Sequence, residues 1–202
     1  MKACRICRDQ PRGPQLPHEP RPVFQISPAA RLVLVGQAPG IRVHLSGMPF
    51  TDPSGDRLRA WLGVDKTTFY DAARFAIIPM GFCFPGHDSK KGDLPPRREC
   101  RETWHDKLFA LLPQAEMLLA TGRYAQAYHC ARLGRDYDPA MPIGDLVRAN
   151  LIDDGRRPRL IALPHPSWRN SGWLKTNPWF EAEVLPVLRA EVARLMALPH
   201  TR

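Results

Sequence analysis

Short apolar runs alternate along the chain with stretches of helical periodicity, and glycine or proline marks most of the changeovers. Arg31–Gly36 (RLVLVG) is a leucine and β-branched run ending in glycine, the pattern of a strand buried on both faces of a parallel sheet. Phe75–Met80 (FAIIPM), Ala115–Thr121 (AEMLLAT) and Leu160–Leu163 (LIAL) repeat it. Asp52-Pro53-Ser54 starts a helix running to Gly63, because aspartate accepts the free N–H groups of a first turn and proline suits that turn. Further helices are expected over about 96–112, from about Arg123, and over roughly 179–198. This alternation predicts an α/β fold, a three-layer α/β/α sandwich with a short, mostly parallel central sheet. Its ligand sites should lie on loops at the carboxyl ends of the strands. Residues 8–30 are dense in proline and lack apolar periodicity, so they are expected to wrap the surface in extended form and not build the core. The chain therefore reads as a Cys/Pro-rich arm over 1–30 packed on one domain over 31–202.

Composition narrows the function classes. At 202 residues and 44% hydrophobic content the chain can bury a real core, which excludes a disulfide-stapled miniprotein. No window approaches the ~18 apolar residues of a spanning helix. The opening MKACRICRDQPRG has no apolar stretch after its charges, so a cytoplasmic protein without a secretory signal or membrane partner is expected. The net charge of +9 favours a phosphate-rich partner, since each neutralised phosphate releases condensed counterions. Five cysteines, an odd number, argue against a disulfide framework and leave metal binding, catalysis or plain burial. Cys4 and Cys7 form a C-x-x-C. Cys130, among apolar helical neighbours, is expected to be a small buried hydrophobe.

Two loops stand where this architecture puts active sites. One is GQAPGIRVHLSGMPFTDPSGDRL, residues 36–58, after the first strand; the other is LPHPSWRNSGW, residues 163–173, after the fourth. Glycines at 36 and 40 allow close backbone approach to a ligand, and Pro39 stiffens the turn between them. A histidine between two prolines at a strand end is poorly placed for core packing, which singles out His165.

Together these residues resemble the uracil-DNA glycosylase superfamily. Gly36-Gln37-Ala38-Pro39-Gly40 matches its first motif, Gly47-Met48-Pro49-Phe50 the G-x-P-F that follows, and His165-Pro166-Ser167 the second motif. The order is right and the match spans most of the chain. The branch it is most similar to is the iron–sulfur type called family 4, which also has an N-terminal C-x-x-C and two later cysteines. Here Cys4, Cys7, Cys83 and Cys100 stand in that order, with Pro96-Arg97-Arg98-Glu99 before the last. A pair two apart and two distant thiolates can close a single site, and four thiolates suit a [4Fe-4S] cluster or zinc. The resemblance favours the cluster, which would fasten the arm to the domain.

The resemblance implies base excision by a monomeric DNA glycosylase: a damaged or deaminated base, uracil first, is flipped out of DNA and its N-glycosidic bond is hydrolysed. Gln37 would position water, and Ala38, Pro39 and Gly40 would line the base pocket. Phe50 would stack on the base, and His165 would donate to the pyrimidine O2 as the base departs. Trp168 and Arg169 would work at the groove, with Ser167, Asn170 and Ser171 bonding phosphates.

Two departures qualify the match. Family 4 enzymes carry an acidic residue where Gln37 stands, and an amide can neither accept a proton from water nor offer full negative charge to a cationic sugar. His44 and Asp52 are the nearby substitutes. Pro79-Met80-Gly81-Phe82 also stands where related enzymes read uracil with an asparagine, so other deaminated bases stay open as substrates. The competing class is a non-catalytic nucleic-acid-binding module that keeps the pocket without turnover. A small-molecule hydrolase on the same architecture is a third reading, disfavoured by the basic charge.

Overall fold

The computed structural model describes residues 1–88 and 92–199. The strands in chain order are β1 (Leu32–Val35), β2 (Phe75–Ile77), β3 (His87–Asp88), β4 (Gly92–Asp93), β5 (Met117–Thr121) and β6 (Arg159–Leu163). The α-helices are α1 (Ile6–Asp9), α2 (Ile41–Ser46), α3 (Pro53–Leu62), α4 (Lys66–Tyr70), α5 (Arg98–Phe109), α6 (Arg123–Arg132), α7 (Ile143–Ala149), α8 (Ser171–Thr176) and α9 (Leu185–Ala197).

Strands β2, β1, β5 and β6, in that order, form one parallel sheet, and β3 and β4 make a separate antiparallel hairpin. Every residue of the four parallel strands is buried, because helices cover both faces. Alternation along β1 divides the core: Leu32 and Leu34 pack with Leu58 and Leu62 of α3 and Leu188 of α9. Val33 and Val35 pack with Leu108 of α5 and with Ala125 and Cys130 of α6. Each such leucine contributes about 1.5–3 kcal/mol by leaving water. The result is the three-layer α/β/α sandwich with a parallel sheet that the sequence pattern predicts.

Helix α3 begins as expected. Asp52 is its N-cap, accepting from the Gly55 N–H, and Pro53 occupies the first turn. Elsewhere the boundaries differ for identifiable reasons. The second strand stops at Ile77 and not at Met80, where Pro79 has no N–H to give, although the Ile78 and Met80 amides still donate to the Leu34 and Gly36 carbonyls. The last helix opens with a π-helical turn over Phe180–Val184; Pro186 cannot donate back to Ala182, and the wider turn spans that gap. Part of the stretch 36–58 is not loop but α2.

Residues 8–30 are mostly extended but do reach the core, contrary to expectation. Leu16, Val23 and Ala30 are buried, and Gln25 forms an antiparallel bridge with Ile77 at the sheet edge. Cys130 is fully buried on α6, as a small hydrophobe should be.

Candidate active site

Chain order places β2 on one side of β1 and β5 on the other, so the carboxyl ends of β1 and β5 flank the point where the winding reverses. In parallel sheets the loops diverge there and leave a crevice. A cavity of about 500 Å³ opens at this end of the sheet. Gln37, Ala38, Pro39, Gly40 and Phe50 line it from the loop after β1, and His165, Ser167, Trp168, Arg169 and Asn170 from the loop after β6. Two segments more than a hundred residues apart thus meet in one space.

Phe50 is the only non-glycine residue with positive φ (54°) among the described residues. For a phenylalanine that conformation is strained and persists only where its surroundings enforce it. The Phe50 carbonyl accepts from Arg59 Nη1 at 3.2 Å, and the Tyr70 hydroxyl shares its one hydrogen between that carbonyl (3.1 Å) and that of Pro49 (2.9 Å). A side chain at Gly55 would collide with the same carbonyl. Arg59 is itself buried and paired with Asp56 at 2.6 Å. So held, the Phe50 ring lies beside Gly36, where a Cβ would come within 3.6 Å of Cζ, and meets Phe69 edge-on with centroids 6.0 Å apart.

His165 is held from its own loop. The Ser167 backbone N–H donates to Nδ1 at 3.3 Å, so in the neutral ring the proton sits on Nε2. Burial holds the imidazole below the usual histidine range, and the negative charges of Asp52 and Asp93 offset this only in part. The loop is braced twice more. Asn170 Nδ2 donates to the His165 carbonyl at 2.7 Å, while Arg57 on α3 donates to the Ser167 carbonyl at 2.9 Å and to Ser171 Oγ at 3.1 Å. Asn170 and Ser171, expected to meet phosphate, therefore serve first to shape the loop. Trp168 is 77% exposed at the rim, and Arg169 packs against Gly92 of the hairpin.

The Gln37 side chain lies over Gly122, where a Cβ would approach Nε2 to 2.7 Å, and its backbone carbonyl accepts from Gly81. Asp52 lines the cavity, but its Oδ1 is engaged by the Gly55 amide and by Ser54 Oγ at 2.6 Å. His44 does not line it: its ring faces His18, with centroids 4.3 Å apart, and Phe84. Val43, its neighbour, is the residue α2 turns inward.

A family model for the Uracil DNA glycosylase superfamily matches residues 23–189. The chain belongs to the uracil DNA glycosylase superfamily. The match begins inside the proline-dense stretch, at the buried Val23, and takes in both cavity loops. Superfamily membership implies glycosylase-type activity and a DNA substrate. No helix among the described residues is long and apolar enough to cross a membrane.

The four cysteines singled out from the sequence come together elsewhere. Cys4, Cys7, Cys83 and Cys100 line one small apolar cavity of about 10 Å³, with Trp104. Their surroundings suit thiolates. Trp104 Nε1 donates to Cys4 Sγ at 3.4 Å, and all four cysteines are free thiols. Burial pushes the Cys83 thiol up to about 12. Yet no group of three or more His, Cys, Asp or Glu among the described residues is arranged to hold a metal ion. Four cysteine sulfurs lining one apolar cavity are donors of the kind a thiolate-bound group needs.

Four residues that line or brace the cavity escaped the sequence reading: Asp93 in its lining, and Arg57, Arg59 and Tyr70 behind it. The helical period does place Arg59 on the face of α3 shared by Gly55 and Leu62, a weak signal. Asp93, on the hairpin, had none.

Proposed function

We propose that this protein is a DNA glycosylase that hydrolyses the N-glycosidic bond of a flipped-out deaminated base, with uracil the leading substrate. The observation that carries this reading is the meeting of Phe50, Gln37 and His165 in one cavity with room for a nucleobase. A base entering between the two loops finds a ring face to stack on at Phe50. His165 Nε2–H, free to point into the cavity because Nδ1 is already accepting, donates to the base O2 as the C1′–N bond breaks and its electron pair moves onto the ring. A neutral donor preorganised at developing negative charge stabilises the transition state without prior reorganisation. Water held by Gln37 adds at C1′, leaving an abasic sugar and the free base. The exposed Trp168 fills the gap in the stack, and Arg57 keeps its loop in place.

Within the superfamily, the four cysteines support assignment to the family 4 branch with a [4Fe-4S] cluster in preference to zinc. Cys4, Cys7, Cys83 and Cys100 would hold it. Such a cluster supplies cross-linking of the arm to the domain; the hydrolysis itself draws on the other cavity. A brown preparation absorbing near ~400 nm supports the cluster, and colourless protein with stoichiometric zinc rejects it.

The deciding experiment presents excess enzyme with oligonucleotides carrying uracil, hypoxanthine and other lesions, followed by alkali. Alkali-labile product is expected from uracil, reduced about 10²–10³-fold in rate by His165→Ala. Tight binding with no product from any lesion would establish the binding-module reading, which the neutral Gln37 favours.

A further inference from the structure

An amide at residue 37 leaves a task unfilled. The sugar turns cationic as the base departs and the attacking water must lose a proton, and Gln37 can serve neither need. The cavity lining holds two carboxylates, Asp52 and Asp93, among the described residues. Asp52 is committed to capping α3. Asp93 comes from β4 of the hairpin and is half exposed; its hydrogen bond to His87 Nδ1 is long, 3.3 Å. Its Oδ2 overhangs the Pro39-Gly40 turn, 3.4 Å from where a Cβ on Gly40 would stand, and the absence of a side chain at Gly40 leaves the carboxylate open to the cavity. The charged or titratable groups facing it are His87 from β3, Arg169 and His165 from the loop after β6, and Asp52 from the start of α3.

A carboxylate at this rim is costly for a protein that binds a polyanion. The chain carries a net charge of +9, and a negative group at the mouth of the cavity repels the phosphates flanking an everted base. Asp93 caps no helix and pairs with no arginine or lysine among the salt bridges of the described residues. We propose that Asp93 is a further catalytic residue: its carboxylate takes the proton of the attacking water as the water oxygen bonds to C1′, and its charge faces the cationic sugar. The C1′–N electron pair leaves on the base, which His165 receives. This inference rests on the glycosylase reading and names a residue that the superfamily match does not assign.

The test follows single-turnover excision of the lesion the wild type processes, alongside binding to the same duplex with a tetrahydrofuran abasic analogue. Asp93→Asn is expected to slow excision about 10²-fold while binding the abasic duplex at least as tightly, with an unchanged thermal midpoint. Asp93→Glu should recover part of the rate. A residue that merely shapes the hairpin would lose rate and binding together. Excision by Asp93→Asn within about threefold of wild type, far short of a lost general base, overturns the inference and leaves the glycosylase reading standing. A wild type that excises no base from any duplex removes both.

Discussion

The base cavity and the cysteine cavity lie in one domain but are built on opposite plans. At the base cavity the two loops are braced by hydrogen bonds of their own. Phe50 is forced into a strained backbone by Arg59, Tyr70 and Gly55, and His165 has its tautomer set by Ser167 and its loop braced by Asn170 and Arg57. The cavity is thus preorganised before any ligand arrives, as sites that stabilise a transition state must be. At the other cavity four free cysteines line one small apolar space, with Trp104 Nε1 donating to Cys4 Sγ. On the proposed reading, one region acts on a visiting base and the other keeps a resident group.

The largest way to break this contrast is at the resident's site. If the proposed cluster is present, Cys100→Ser should remove its absorbance and lower stability by about 4 kcal/mol or more, roughly 10 °C at this chain length. Limited proteolysis should then cut within the first twenty or so residues, while excision by the surviving folded fraction persists. A Cys100→Ser variant with unchanged colour and melting temperature would show that the four thiols are ordinary buried side chains.

A second effect comes from the layer behind the base cavity. His105 Nε2 meets the Pro79 carbonyl at 3.1 Å, backing the cavity wall, and its ring stacks on that of the fully buried His129. Burial drives His105 down to about 4 and His129 well below the ordinary value. The unfolded chain therefore binds protons that the folded chain refuses, and stability is lost as pH falls below about 6.5 toward 4. His105 alone accounts for on the order of 3 kcal/mol across that window. Melting temperatures from pH 7.5 to 4.5 should decline steeply, and His129→Gln should flatten the curve. The excision rate, by contrast, should stay level from pH 8 through 6.5, since His165 is already neutral there; a rate that falls below pH 7 in step with an ordinary histidine would contradict the donor role.

The smallest effect sharpens the contrast most, because Arg59 serves both packing and site. Arg59→Ala should cost about 2 kcal/mol of stability through the hydrogen bond lost at the Phe50 carbonyl, which keeps only the shared Tyr70 hydroxyl, and through lost contacts, and relaxation of Phe50 should slow excision about tenfold. Tyr70→Phe should cost about half as much in stability. Equal rates in both variants and wild type would mean that the Phe50 strain has no part in the reaction.

What the sequence disclosed and what it withheld divide along physical lines. β1, β5 and β6 were legible because strands buried on both faces need unbroken apolar runs, and α3 because Asp52-Pro53 is a local cap. The two loops were legible from short motifs that follow strand ends. Hidden were features made by distant pairing: Arg57 reaching Ser167, Asn170 folding back on His165, and the overhang of Asp93 above Gly40. The hairpin strands β3 and β4 are two residues each, too short for alternation to register. Helix α2 hid in a stretch whose glycines and prolines read as loop. The proline-dense arm concealed Val23 and Leu16 because single buried apolar residues leave no period.

The central claim, that one cavity receives an everted base between Phe50 and His165, is tested most directly by the crystal structure of the His165→Ala variant with a uracil-containing duplex. The account predicts uracil outside the helix, its ring stacked on Phe50 and its O2 edge toward position 165. A uracil still paired in the duplex, with the cavity facing solvent, would contradict it.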